Sequence, residues 1–410
     1  SGGSVFMPIR PLPLCCEGDL TMRKPVGKTR IEKLKEKMEK LAIEGGEPVR
    51  DTFLPYATQW IGEEEKKEVM EVLDSSWLTT GPKMRKFEEN FAKYVGAKHA
   101  IAVNSGTAAL QAALYSLNIK RGDEVIVPDL TFIASANSVK MTGAEPVLVD
   151  VDEKTFNIDA GKIEKAITPK TKAIMPVHIY AQSADMDAVM QVAKKHNLPV
   201  VEDAAQGVGV KFKGKHTGTF GDLGILSFYG NKTITTGEGG IILTDNEELY
   251  NACWRLKNHG RLEKGTFVHS QIGYNFGFTE MQAALGVAQL RKLPKILEKK
   301  KYIREKYEKL LANVSAVKFA ETDERGEPAF WFTNIMVDDV EALMAYLMKN
   351  GVQTRRFFFP IHLQEPYKNV KGDFKNSVNA YEHGLSLPSS YGLTDEQIEE
   401  VATKIKEFYS

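Results

Sequence analysis

Two spacings of apolar residues alternate along this chain. In "EEEKKEVMEVLDSS" and "KMRKFEENFAKYVG" they recur at helical intervals between charged residues, and Gly96 closes the second run. Further on, the short and nearly all-apolar runs "HAIAV", "DEVIVP", "EPVLVD", "TKAIMPVHIY" and "LPVVEDAA" read as strands. The stretches "NSGTAALQAALYSL", "TFIASANSVKMTG" and "DMDAVMQVAKKHN" read as the helices between them. Strands apolar on both faces, each followed by a helix, predict an α/β fold with a mostly parallel sheet flanked by helices. Ligands of such sheets sit at the carboxyl ends of the strands.

The flanks read differently. Residues 1–30 are rich in Pro, Gly and basic residues and read as irregular. In "RIEKLKEKMEKLAIEGG", Ile31, Leu34, Met38 and Leu41 recur at helical spacing until Gly45 and Gly46, which predicts a short amphipathic helix packed on the body or on another subunit. "EMQAALGVAQLRKLPKILEKKKYIREKYEKLLAN" predicts two helices meeting near Pro294. Beyond it, strands are expected near "FWFTNIMV" and "VQTRRFFFP", with a last helix in "DEQIEEVATKIKEFY". The division that follows is an N-terminal arm over 1–50, a large domain over 51–294 and a smaller C-terminal α+β domain over 295–410. A chain of 410 residues is long enough for this.

Charge and cysteine usage narrow the function classes. Lys and Arg number 54 and so do Asp and Glu, so the basic excess of a nucleic-acid binder is missing. The three cysteines, Cys15, Cys16 and Cys253, give neither a disulfide framework nor a zinc site, and suit a reducing cytoplasm. No apolar run approaches the roughly 18 residues needed to span a membrane. The first residues lack the basic and apolar regions of a signal peptide.

Three groups fall at strand ends. "NSGTAAL" turns from strand to helix, where free backbone N–H groups favour a phosphate and Thr107 adds a hydroxyl; a plain helix cap has the same look. In "VVEDAAQ", Glu202 and Asp203 point to opposite sides of the strand. A carboxylate there serves a metal, a base, a protonated ring nitrogen or the next turn. Lys232, in "SFYGNKTITTGEGG", is either a solvated loop lysine or one held for covalent chemistry with its pKa lowered. Together these groups suit pyridoxal phosphate. Asn104–Thr107 and Ser227 supply an anion site, Asp203 a partner for the ring nitrogen, Lys232 an imine, and Phe132 a flat group over the ring.

With "PVHIYAQSADMD", "IGYNFGFTEMQAALG" and "TRRFFFPIH" added, the chain from about residue 50 to 410 resembles the DegT/StrS family of sugar-nucleotide aminotransferases. The resemblance implies the fold-type I, aspartate aminotransferase-like architecture, pyridoxal 5'-phosphate as cofactor, and a cytoplasmic homodimer with shared active sites. It implies that Lys232 bonds the cofactor and shuttles the proton, and that Asp203 pairs with the ring nitrogen. It further implies that Gln206 contacts the phenolic oxygen, that Gly106, Thr107 and Ser227 hold the phosphate, and that Asn275 reaches the neighbouring subunit's phosphate.

Members of the family with histidine in place of that lysine dehydrate their substrates, so Lys232 favours transamination. "GNKTITTGEGG" is similar to the branch acting at C4 rather than C3. The implied reaction moves an amino group from L-glutamate to C4 of a nucleotide-linked 4-keto-6-deoxy sugar, foremost GDP-4-keto-6-deoxymannose to GDP-perosamine, for surface polysaccharide. A UDP- or dTDP-linked 4-keto or 3-keto sugar is the alternative: "KNHGR" is similar to enzymes using such sugars, and Gly277 stands where enzymes making GDP-perosamine usually have arginine. A regulatory or binding protein that keeps the fold is the non-enzyme alternative, and Lys232 with Asp203 argues against it.

Residues for the substrate stay open at this level. His178 is either structural or a substrate contact, and His362 a substrate contact or a packed loop histidine. Arg355 and Arg356 meet a diphosphate or form salt bridges, Glu238 serves the sugar or the turn, and Trp77 and Tyr180 contact the sugar or pack in the core.

Overall fold

The computed structural model describes residues 53–263 and 265–410. The amphipathic run at 31–46 lies outside them.

Helix α1 spans Glu63–Ser75 and opens with three glutamates, favourable at the positive end of the helix dipole. Helix α2, Pro82–Val95, starts on a proline and ends at Gly96 in the left-handed conformation. The strands are β1 (His99–Val103), β2 (Glu124–Pro128), β3 (Glu145–Val149), β4 (Thr171–Ile174), β5 (Val201–Asp203), β6 (Leu223–Ser227) and β7 (Gly240–Thr244). Pairings run β3-β2-β4 and β5-β6-β7-β1, and bridges from Ile174 to Val200 and from Val177 to Asp203 join the two runs into one sheet. Only β7, antiparallel to both β6 and β1, breaks the parallel order. The sheet is therefore mostly parallel, with helices on both faces.

Alternation along β1 shows why its residues are all apolar. Ile101 and Val103 pack with helix α3 (Gly106–Ser116), while Ala100 and Ala102 pack on the opposite side with Phe87 and Phe91 of α2. Phe87, Phe91, Phe228 and Phe278 form an aromatic cluster with ring centroids 5.2–5.8 Å apart. Truncating Phe87 to alanine would cost about 3–5 kcal/mol.

The helix pair expected to meet at Pro294 is instead one continuous helix, Glu280–Leu311. Proline removes one backbone hydrogen bond. Burial of Leu293 and Ile296 on either side holds the helix together across that gap. Its first residue also serves a neighbour: the Glu280 carboxylate accepts the amides of Lys83 and Met84 at the start of α2, both at 2.8 Å.

The expected long strand over "TKAIMPVHIY" is shorter: β4 ends at Ile174, Val177 rejoins the sheet by a single bridge to Asp203, and Tyr180 and Ala181, with φ of 51° and 59°, turn the chain away. The C-terminal strands are β8 (Lys318–Phe319), β9 (Thr333–Met336), β10 (Arg355–Arg356) and β11 (Gly384–Leu387), antiparallel in the order β8-β9-β11-β10. The last helix, Asp395–Tyr409, is capped by Thr394.

Candidate active site

A cavity of about 360 Å³ opens where β1, β5 and β6 end. Gly106, Thr107, Phe132, Asp203, Gln206, Ser227, Lys232, Glu238 and Arg355 all line it. Residues from positions 105 to 358 thus meet in one space.

At one end, helix α3 begins. The Ser105 hydroxyl accepts the Ala108 amide at 3.1 Å, while Gly106 and Thr107, in the first turn, have no intrahelical acceptor for their amides. Ser227 stands against Gly106, where a Cβ would come within 3.0 Å of the serine Cβ. Gly240, at the start of β7, is equally confined, since a Cβ there would lie 2.5 Å from the Ser105 carbonyl oxygen. Free amides, a hydroxyl and the positive helix end form a cradle for a phosphate.

Strand alternation separates the paired acids of β5. Glu202 is fully buried and accepts the amides of Gly218, Phe220 and Gly221 at 2.6–2.7 Å, with His178 Nε2 at 2.9 Å. Asp203 faces the cavity. Its Oδ2 accepts the Ser135 hydroxyl at 2.6 Å and its Oδ1 the Ala205 amide at 3.1 Å. Burial pushes its pKa up, against the pull of these hydrogen bonds and of the Lys232 charge. A buried carboxylate with one face toward a cavity suits a cationic ring nitrogen.

Lys232 sits in the loop between β6 and β7. The threonines after it tie that loop: Thr235 Oγ1 donates to the Phe228 carbonyl at 3.0 Å, and the Thr236 amide to the same oxygen at 2.9 Å. The Lys232 amide donates to Tyr229 at 2.9 Å, and Gln59 Nε2 to the Lys232 carbonyl at 2.8 Å. Its ammonium lies 4.4 Å from the Trp331 ring centroid. Burial lowers its pKa to about 7; Asp203 opposes this and Arg355 adds to it. A lysine near neutrality is poised both as a nucleophile and as a proton carrier.

Gln206 Oε1 accepts the Tyr180 amide at 2.6 Å, which leaves its Nε2 to donate. Phe132 is half-exposed at the cavity wall. Arg355 lies over Phe358 at 5.1 Å and, among the described residues, has no carboxylate partner. Arg356 does have one: it pairs with Glu341 at 2.8 Å.

The other candidates lie elsewhere. His178 is fully buried behind β5 and its Nδ1 accepts the Ala184 amide at 3.1 Å, so its proton is on the nitrogen facing Glu202. His362 donates its amide to Asp129 Oδ1 at 2.8 Å, and its Nδ1 lies 2.7 Å from Asp129 Oδ2. Asn275 holds the Gly277 amide at 3.2 Å and does not line the cavity of its own chain. Tyr180 is buried, and Trp77 is exposed outside the cavity. Two contributors went unseen in the sequence. Ser135 follows Phe132 by three residues without any distinguishing neighbour, and Trp331 lay inside an expected strand. Among the described residues no group of His, Cys, Asp and Glu is arranged to hold a metal, and no helix is long and apolar enough to cross a membrane.

Comparison with known proteins identifies the family. The model of the DegT/DnrJ/EryC1/StrS aminotransferase family matches residues 59–406. GDP-perosamine synthase of Caulobacter vibrioides is 42% identical over 352 residues, covering 82% of this chain and 93% of that protein. The spore coat polysaccharide biosynthesis protein SpsC of Bacillus subtilis is 38% identical, covering 87% and 97%. The PLP-form of a putative sugar aminotransferase, Spr1654 of Streptococcus pneumoniae, superposes with a TM-score of 0.82 at 30% identity, covering 87% of this chain and 100% of that one. The chain is a member of the DegT/DnrJ/EryC1/StrS aminotransferase family, and an enzyme of its fold-type I architecture.

Proposed function

We infer that this sugar aminotransferase moves an amino group from L-glutamate to C4 of a nucleotide-linked 4-keto-6-deoxy sugar, foremost GDP-4-keto-6-deoxymannose, to give GDP-perosamine. The observation that carries the reading is the meeting of Lys232, Asp203 and the free start of α3 in one cavity. The likeness to a GDP-perosamine synthase supports the choice of sugar.

The cofactor is pyridoxal phosphate, and the residues present fit it. When bound, it supplies an aldehyde that bonds amines and a ring that withdraws electrons from the bond being broken. Gly106, Thr107 and Ser227 would hold its phosphate in the cradle described. Asp203 would hold the proton on the ring nitrogen, Phe132 would cover the ring, and Gln206 Nε2 would donate to the phenolic oxygen. Lys232 Nζ, buried at the cavity wall with its pKa lowered to about 7, would hold the cofactor and, when free, would carry the proton to and from the reacting carbon.

Arg355, at the cavity wall and without a carboxylate partner among the described residues, is assigned to an anionic group of donor or substrate. Glu238 lines the same wall and is assigned to the sugar. His178 has both ring nitrogens engaged, by Glu202 and by the Ala184 amide, while His362 is tied to Asp129 through its amide and Nδ1.

The active unit is read as a cytoplasmic homodimer. Phe267 and Ile272 are 84% and 87% exposed on the loop that leads to Asn275, an apolar surface that suits burial by a second copy. In that arrangement Asn275 reaches the partner's phosphate.

A UDP- or dTDP-linked sugar is the second reading, favoured by "KNHGR", with Gly277 a departure from the first. A first test is optical: the protein saturated with pyridoxal phosphate should be yellow, and L-glutamate should shift the band. Absence of any imine band would sink the enzymatic role.

A further inference from the structure

Lys232 does not stand alone in its wall of the cavity. Trp331 is 2% exposed, and its ring face meets the Lys232 ammonium with 4.4 Å between Nζ and the ring centroid. Trp331 is held through both its indole and its backbone. Its Nε1–H donates to the carbonyl of Asn231, the residue before Lys232, at 2.6 Å. Its backbone carbonyl accepts from Lys300 Nζ at 2.9 Å, and the same amine donates to the Ser389 carbonyl at 3.0 Å. Lys300 is buried on the long helix and, among the described residues, has no carboxylate partner. A buried cation spent on two carbonyls is costly, which points to a purpose beyond packing.

We propose that Trp331, anchored by Lys300 and Asn231, is a positioning residue that seats the amine of Lys232 and aims it at the cofactor. The inference rests on Lys232 being the cofactor lysine. An aromatic face attracts an ammonium without sharing its proton. A carboxylate in the same place would hold the proton more tightly, and an aliphatic wall would give the charge nothing. The indole thus keeps the freed amine within reach while leaving it able to lose and regain its proton. The other charged groups that face Lys232 are Asp203 at the end of β5 and Arg355 on β10, with Glu238 lining the same cavity. Asp203 and Arg355 act on the amine with opposite sign.

The test uses the full chain freed of cofactor. Pyridoxal phosphate is added across a pH series, and growth of its visible band reports capture by the neutral amine. The wild-type rate should rise through a midpoint near about 7 and then level off. In Trp331→Leu the ammonium loses its seat. The midpoint should fall by about half to one and a half pH units, and the plateau rate by about 10-fold through lost orientation. Trp331→Phe keeps a flat face and should recover most of both. Wild-type midpoint and plateau in a Trp331→Leu protein with unchanged circular dichroism would overturn the proposal. Equal losses in the Leu and Phe variants would do the same, since they would mark a packing role.

Lys300→Met leaves the indole in place but frees its backbone, and should shift the midpoint the same way by less. Should Trp331→Leu not fold, this variant decides: a wild-type profile in it contradicts the anchoring. A wild-type protein that forms no band, like a Lys232→Ala control, would instead overturn the assignment of Lys232. The two failures are therefore distinguishable.

Discussion

Lys232 and Asp203 divide the work by environment. Burial alone would neutralise both, and each holds the other back from that limit. Lys232→Ala should retain the fold and lower kcat by about 10²–10⁴-fold, the usual worth of a positioned acid–base group; full activity would refute its role. Ser135→Ala removes the hydroxyl that donates to Asp203 Oδ2 at 2.6 Å. A hydrogen bond to a charged group is worth about 1.5–3 kcal/mol, so cofactor affinity should drop by roughly 10- to 100-fold, read by titrating the visible band. Much at this scale was legible beforehand. Alternation along a strand already sends Glu202 and Asp203 to opposite sides, and only the fold shows that Glu202 is the one consumed by backbone amides. Trp331 was not legible. It lies 100 residues from its partner Asn231, and local spacing carries no trace of such contacts.

At the scale of elements, hydrophobic period located the helices and strands but not their interruptions. A proline in a charged helical run reads as a break, yet Glu280–Leu311 continues through Pro294 because buried neighbours on both sides support it. The opposite error occurs after β4. No glycine marks the turn at Tyr180 and Ala181, so the run of apolar residues read as one strand. The long helix also carries a titration that stability should report. Burial lowers the Lys300 pKa from 10.5 to about 8 in the folded chain. Between those values the unfolded chain binds more protons, so this group makes stability rise with pH across the window. Lys300→Met removes that contribution. Its stability relative to wild type should therefore fall as pH rises from about 8 to 10.5, measured by denaturant unfolding. A difference constant with pH would contradict the buried, depressed amine.

At the scale of the whole molecule, the chain brings Lys232, Asp203, Gly106, Thr107 and Ser227 into one cavity but keeps Asn275 out of it. The account therefore needs a second copy. Ile272→Asp should shift the protein toward monomer in sedimentation and weaken cofactor retention. Asn275→Ala should weaken retention without changing the oligomer, and a stable, active monomer would refute the shared site. That Thr107, Asp203 and Lys232 would meet was readable in sequence because they follow strand ends in order, each with its own local signal. Substrate choice was not, because Glu238 and Arg355 share the cavity only after distant segments pack together.

The most direct measurement is of product. The protein is incubated with pyridoxal phosphate, L-glutamate and either GDP-4-keto-6-deoxymannose or the dTDP- and UDP-linked 4-keto-6-deoxyglucose compounds, and the products are read by mass. The account predicts an amino sugar from the GDP substrate. Product from the dTDP or UDP sugars alone would overturn the substrate assignment, and no amino sugar from any of them would contradict the central claim.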